Sequence, residues 1–298
     1  MIRTTVKNEG FEGILFGGNG QKDKVVIVMS GSNGGMRLTR TEAEFYHRNG
    51  VPALALGLFK TKQTQKDLDR VPVEYVERAV KWLKNQGYQK IAIDGTSKGS
   101  EMALIAASMF SDISCVIARV PSYFVSEGLT INGVTKSPSG TSCWSYHGKE
   151  LPYAPYRSRT FDFKTMLKKE KEFHILTFNK NKVVTPETII PIEKIKGPIL
   201  FISSKHDVVW ESYKSCVIMD HHLTDVSFPF KHKHIAFPYL SHAMVTNGSP
   251  LFRIGFKSEK EHPKQCAQER EKLKKVLLDW VQHEWEAVYD IGNTSPKN

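Results

Sequence analysis

A mostly parallel β-sheet with helices on both faces is the fold class this sequence predicts. Three observations predict it. Apolar, β-branched runs alternate with helix-forming segments over residues 24–118, and the alternation resumes at 197. One run, Ile91-Ala92-Ile93-Asp94, passes straight into Gly95-Thr96-Ser97-Lys98-Gly99 and then into a strong helix former. A serine, an aspartate and a histidine, in that order, each follow a predicted strand.

Taken in order, Phe11-Glu12-Gly13-Ile14-Leu15-Phe16 reads as an edge strand, and Gly17-Gly18-Asn19-Gly20 turns the chain back. Lys24-Val25-Val26-Ile27-Val28-Met29 is apolar after its first residue, as a strand buried on both faces must be. A Gly-rich loop, Ser30-Gly31-Ser32-Asn33-Gly34-Gly35, follows it. It is a plain turn or an anion-facing loop, and it lacks the Gly-Lys-Ser/Thr ending of a phosphate loop. A helix is predicted over 39–49, closed by Gly50, and a buried strand over 51–57. Residues 71–83 read as a helix, with Val73, Val76, Val80 and Leu83 at three- and four-residue steps. The strand and helix around Ser97 come next, then the buried strand 113–118.

At Pro121 the alternation stops. Residues 121–196 are rich in Gly, Pro, Ser, aromatics and Lys. So long an irregular stretch inside a compact domain is usually functional. The expected organisation is one domain over residues 1–298, with 121–196 a cap-like insertion over the strand C-terminal edge. A strand at 197–204, a helix at 211–219, a short strand at 232–237 and a long helix from 263 to 289 complete the chain.

Strand, sharp turn with glycines flanking a serine, then helix is the setting of a nucleophile elbow. The bland alternative is an ordinary turn with Ser97 capping the helix. Order discriminates between them. Ser97, Asp207 and His242 each lie at a strand's C-terminal end, so all three emerge at one edge of the sheet, as in an α/β-hydrolase fold. A serine hydroxyl needs a base, here His242, and the base needs an orienting acid, here Asp207. The developing oxyanion needs preorganised donors: the backbone N–H of Lys98, and one from Ser32 or Asn33. Asp225 is a rival acid. His206, His221, His222, His232 and His234 crowd the same region, but His232 and His234 fall inside a predicted strand. The Lys98 side chain either serves an anionic substrate or pairs with a carboxylate such as Glu101.

The formal net charge is +11, a field that favours anions. The cations are scattered, with no basic arm and no nucleic-acid-binding signature, so no nucleic-acid partner is expected. No apolar run approaches the ~20 residues of a membrane span. Met1-Ile2-Arg3-Thr4-Thr5-Val6-Lys7 has no apolar leader core, and Cys115, Cys143, Cys216 and Cys266 form no close pair. A cytoplasmic location is therefore expected. Asp220-His221-His222 suggests a metal only loosely, and neither metal nor cofactor is expected.

Several segments resemble one family. Gly95-Thr96-Ser97-Lys98-Gly99-Ser100-Glu101 is similar to the elbow of the acyl-CoA thioesterase and bile acid-CoA:amino acid N-acyltransferase family, in its C-terminal catalytic domain. Val71-Pro72-Val73-Glu74-Tyr75-Val76-Glu77-Arg78-Ala79-Val80 resembles its preceding helix. Residues 142–153, 190–200 and Asp207-Val208-Val209-Trp210 also resemble family segments. The resemblance implies an α/β-hydrolase, a Ser97–Asp207–His242 triad and a small-molecule acyl-CoA or ester substrate. A carboxylesterase or dienelactone-type hydrolase is the enzymatic alternative, and a non-catalytic binding protein the alternative of another class. The acyltransferase branch uses cysteine as nucleophile, whereas Ser97 favours transfer to water. The family's animal members carry an N-terminal immunoglobulin-like domain, and none is expected within these 298 residues. His206 stands where an acidic residue is frequent, and Ser241 where a glycine commonly precedes the histidine.

Overall fold

Alternate residues of the buried runs feed two different cores. Val25, Ile27 and Met29 join one apolar cluster, and Val26 and Val28 join the other. That is the period-two signature of a strand covered on both faces. The structure, a computed structural model, describes residues 1–17, 20, 22–133, 135–156, 161–173 and 184–285. Eight strands build the central sheet: β1 (Ile2–Thr4), β2 (Glu12–Phe16), β3 (Lys24–Met29), β4 (Ala53–Gly57), β5 (Lys90–Thr96), β6 (Ile113–Arg119), β7 (Ile199–Ser204) and β8 (His232–Phe237). Their order is β1-β2-β4-β3-β5-β6-β7-β8. Strands β3 to β8 are parallel, and β2 is antiparallel to both its neighbours.

Five long helices cover the sheet: α1 (Arg37–Arg48), α2 (Glu74–Asn85), α3 (Lys98–Met109), α4 (Ser212–Asp225) and α5 (Pro263–Asp279). Helices α2, α3 and α4 contribute Val76, Leu104 and Leu223 to one core, and α1 and α5 contribute Tyr46 and Leu273 to the other. Helix α3 is buried from Lys98 to Ala107, so it can carry charge inward only where that charge is paired.

Four expectations need correction. Strand β2 is not an edge, because the three-residue β1 pairs outside it. So short a strand shows no periodicity to read. The helix expected at 71–83 begins at Glu74, since Val71–Pro72 pairs with Trp144 and Ser145. Val71 and Val73 donate to the carbonyls of Cys143 and Ser145, and Pro72, without an N–H, sits between them. The insertion is less irregular than its composition implies. Glu127–Asn132 and Thr135–Ser142 pair as antiparallel strands joined by Phe161–Asp162. Their Ser, Gly and Pro content hides them, because strand formation there is decided by pairing rather than propensity. The last helix leaves α geometry for a π-turn over Trp280–Glu284. Residues 286–289 of that predicted helix, and Gly18 and Asn19 of the first predicted turn, lie outside the described residues.

Candidate active site

Strand β5 delivers Ser97 in a backbone conformation that few side chains adopt, with φ 59° and ψ −120°. Such a position costs of order 1–3 kcal/mol and persists only where the surroundings enforce it. Here they do. A Cβ on Gly95 would stand 2.1 Å from the Gly99 carbonyl oxygen, and one on Gly99 2.6 Å from that of Ser30. The Ser97 N–H donates to Arg119 O at 2.8 Å. The side chain is thereby presented at the C-terminal edge of the sheet.

The three residues singled out by order come together. His242 Nε2 lies 2.9 Å from Ser97 Oγ, and His242 Nδ1 lies 2.9 and 3.0 Å from the two Asp207 oxygens. Asp207 Oδ1 also accepts from the Val209 N–H at 2.9 Å and the Trp210 N–H at 3.2 Å, and Oδ2 from Ser212 Oγ at 2.6 Å. Trp210 packs edge-on against the imidazole, with ring centroids 4.7 Å apart. Ser241 has its own function in this loop: its Oγ donates to Glu259 at 3.0 Å and accepts from the Ala243 N–H at 3.2 Å.

The rival groups lie elsewhere. His206 and Asp225 are exposed. His232 Nδ1 pairs with Asp220 at 2.7 Å, His222 with Glu193 at 3.3 Å, and His234 with Ser203 Oγ at 2.7 Å. Burial pulls the His234 imidazole below its usual value.

Ser97 and His242 open into a cavity of about 530 Å³, whose apolar wall includes Leu38, Phe173, Val245, Phe252 and Phe256. Ser32 and Asn33 line it as well. Their loop lies against the serine, since a Cβ on Gly31 would come within 2.7 Å of Ser97 Cβ. Lys98 is the first residue of α3, where backbone N–H groups have no partner within the helix.

The Lys98 side chain turns inward. Its Nζ is 2.9 Å from Glu101 Oε2 and 5.7 Å from the Trp210 ring centroid. Glu101 also accepts from Ser122 Oγ, the Ser126 N–H and Oγ, and Trp144 Nε1 at 2.8 to 3.0 Å. Burial works against the Lys98 charge, but the facing Cys143, Glu101 and Tyr156 outweigh it and hold the ammonium well above its usual value. Burial likewise works against the Glu101 carboxylate, yet Lys98 and the surrounding donors hold its pKa below the usual range. Of the two readings of Lys98, the ion pair is the one found.

Two groups were not legible. Lys136, on the inserted hairpin, lines the cavity and donates to Ser32 O at 2.8 Å. Burial, aided by the nearby Lys60 charge, pulls its ammonium down to about 8. Beneath the site, Arg119 holds Asp94 at 2.8 and 2.9 Å, Glu42 at 2.7 Å and Met244 O at 3.2 Å. Glu42 in turn accepts from the Thr246 N–H and hydroxyl, and Tyr46 donates to Asp94 at 2.8 Å. Burial works against the guanidinium, but Asp94 and Glu42 outweigh it and hold it charged. The network ties β5, β6 and α1 to the backbone just beyond His242. A carboxylate inside the apolar run 91–94 was the available signal, because a buried charge requires a partner.

The pattern of the family described as "BAAT / Acyl-CoA thioester hydrolase C terminal" matches residues 71–264. The chain belongs to this family. A mouse peroxisomal succinyl-coenzyme A thioesterase is 28% identical over 194 residues, covering 63% of this chain and 41% of the mouse protein. The chain thus spans less than half the length of that relative. Among solved structures, a Pyrococcus horikoshii acylaminoacyl peptidase superposes with a TM-score of 0.56 at 12% identity, over 92% of this chain and 40% of that one. A dienelactone hydrolase candidate from Klebsiella pneumoniae superposes with a TM-score of 0.55 at 11% identity, over 95% of this chain and 98% of that one. These likenesses and the strand order give the family member an α/β-hydrolase fold. No described helix is long and apolar enough to cross a membrane.

Proposed function

We propose that this chain is a serine hydrolase that cleaves acyl-CoA thioesters through an acyl-enzyme. The observation that carries the reading is the continuous hydrogen-bonded chain Asp207–His242–Ser97 at the mouth of an apolar cavity. Ser97 Oγ attacks the thioester carbonyl carbon while His242 Nε2 takes the hydroxyl proton. Asp207 accepts from His242 Nδ1–H, fixing the tautomer and stabilising the imidazolium. The Lys98 N–H and one from Ser32 or Asn33 receive the oxyanion. The C–S bond then breaks, and the leaving sulfur takes the proton from His242. A water molecule, deprotonated by His242, attacks the ester carbonyl. Breaking the bond between the acyl carbon and Ser97 Oγ releases the acid, and His242 returns the proton to Oγ.

Thiols are good leaving groups, with a pKa of about 8.5 for free cysteine. Deacylation is therefore expected to limit turnover. The chain acts as one hydrolase domain over residues 1–298, with 121–196 shaping the acyl site. The four buried free cysteines suit a reducing compartment such as the cytoplasm. The test combines labelling and kinetics. A fluorophosphonate should label Ser97, and acyl-CoA should give a burst of free thiol equal to the enzyme. Ser97→Ala should lose both, with turnover down by at least about 10³-fold. Labelling and burst with p-nitrophenyl esters alone would assign the chain to oxyesters instead.

A further inference from the structure

A second and larger hollow, about 880 Å³, adjoins the catalytic cavity. Helix α1 separates the two. Leu38, Thr39 and Glu42 face the cavity of Ser97, and Arg37, Arg40, Thr41 and Glu44 line the groove. Five cations ring the groove: Arg3, Arg37, Arg40, Lys60 and Lys62. Its two acids are already engaged. Glu44 pairs with Arg40 at 2.7 Å, and Glu12 accepts from Thr61 Oγ1 and, at 3.1 Å, from the Gln63 N–H. Among the described residues, Arg3, Arg37, Lys60 and Lys62 have no carboxylate within ion-pair distance, and all four are exposed. Thr4, also lining the groove, is buried with a hydroxyl that has no hydrogen-bond partner among the described residues.

Five cations against two carboxylates leave the hollow net positive, and the excess cations repel one another and are stabilised by an anion that fits. Lys60 brings the groove close to the chemistry. Lys60 packs on the loop of Ser32 and Asn33, where a Cβ on Gly34 would meet its side chain at 2.9 Å. Its charge also reaches Lys136 in the catalytic cavity. A substrate with its carbonyl at Ser97 and a polyanionic leaving group would thus meet Lys136, then Lys60, then the groove.

We propose that Arg3, Arg37, Lys60 and Lys62 form a binding site for the phosphates of a nucleotide-bearing thiol, the leaving group of the thioester. The site deepens the proposed function and rests on that reading for its role. Every residue lining it precedes residue 71, so it lies outside the stretch that the family pattern matches.

Two experiments keep this site separable from the thioesterase reading. By calorimetry, the intact protein should bind adenosine 3′,5′-bisphosphate, and the charge reversals Arg37→Glu with Lys62→Glu should weaken that binding about tenfold. Reversing Lys81 and Lys84 on α2, at the opposite face of the sheet, changes net charge equally and should leave binding intact. In kinetics, the ratio of kcat/KM for an acyl-CoA to that for the matching acyl-pantetheine should fall about tenfold in the groove variant, mostly through KM. High salt should erode the ratio in the unmodified protein. Absence of bisphosphate binding in the unmodified protein, or equal losses in both double variants, overturns the site. Bisphosphate binding that depends on the groove, in a protein that cleaves no thioester, overturns the proposed function and leaves the site standing.

Discussion

At the scale of single residues, the inward turn of Lys98 sets the character of the elbow. Its ammonium and the Glu101 carboxylate are nearly inaccessible, 1% and 0% exposed. Removing one partner of such a pair leaves the other charge buried, at a cost of about 3–5 kcal/mol. Lys98→Met should therefore lower unfolding free energy by that order, read from urea midpoints at constant slope. Replacing Lys98 and Glu101 together with apolar residues should recover part of the loss. The pH dependence follows from the directions. Glu101, held below its unfolded value, contributes stability that is present above the ordinary carboxylate range and lost as pH falls through its folded value.

The Lys136 ammonium shifts in the opposite sense to that of Lys98. Its folded pKa of about 8 lies below the ~10.4 of an unfolded chain. The folded state is therefore penalised while Lys136 is protonated, and stability from this group rises between about pH 8 and 10.4. Its charge near the oxyanion loop predicts a fall in kcat through about pH 8. A pH–rate profile of Lys136→Met should lack that inflection; if the inflection persists, Lys136 does not serve the loop.

At the scale of elements, the turn between β5 and α3 is closed by backbone against backbone. A methyl at Gly95 meets the Gly99 carbonyl, which no rotamer change relieves. Gly95→Ala should abolish labelling of Ser97 by fluorophosphonate and lower Tm. Next to it, the Arg119 network joins β6 and α1 to the loop after β8, through Met244 O and Glu42–Thr246. Arg119→Met should lower kcat by about 10²-fold with smaller change in KM, since it displaces His242 and leaves substrate contacts intact. A change confined to stability, with kcat preserved in the folded fraction, would rule out that positioning function. Strands β3, β5, β6 and β7 were readable because each is a β-branched run buried on both faces. The hairpin at 127–142 was not, because Ser137, Pro138, Ser139 and Gly140 carry no strand propensity, and pairing of Ser137 with Thr130 and Pro138 with Leu129 holds the strand instead.

At the scale of the whole molecule, the catalytic cavity draws on residues 30–33, 136, 173 and 242–256, which no local pattern connects. The apolar part of its wall, Leu38, Phe173, Val245, Phe252 and Phe256, predicts that the acyl chain of the proposed substrate is held there by burial. Leu38→Trp should narrow the cavity and shift the kcat/KM optimum towards shorter acyl groups, measured across a chain-length series.

The sequence by itself determined the six parallel strands of the sheet, the order Ser97, Asp207, His242 and hence the chemistry to expect at one edge. Those features are local: strand runs, a tight glycine turn, and a residue placed just past a strand's end. Only the tertiary structure decided that Lys98 is a structural ion partner, that Lys136 reaches the site from the inserted hairpin, and that cations from residues 3 to 62 gather in one groove. A side chain's charge is written in the sequence. Its neighbours are not, because they arrive from segments tens to hundreds of residues away and are chosen by packing.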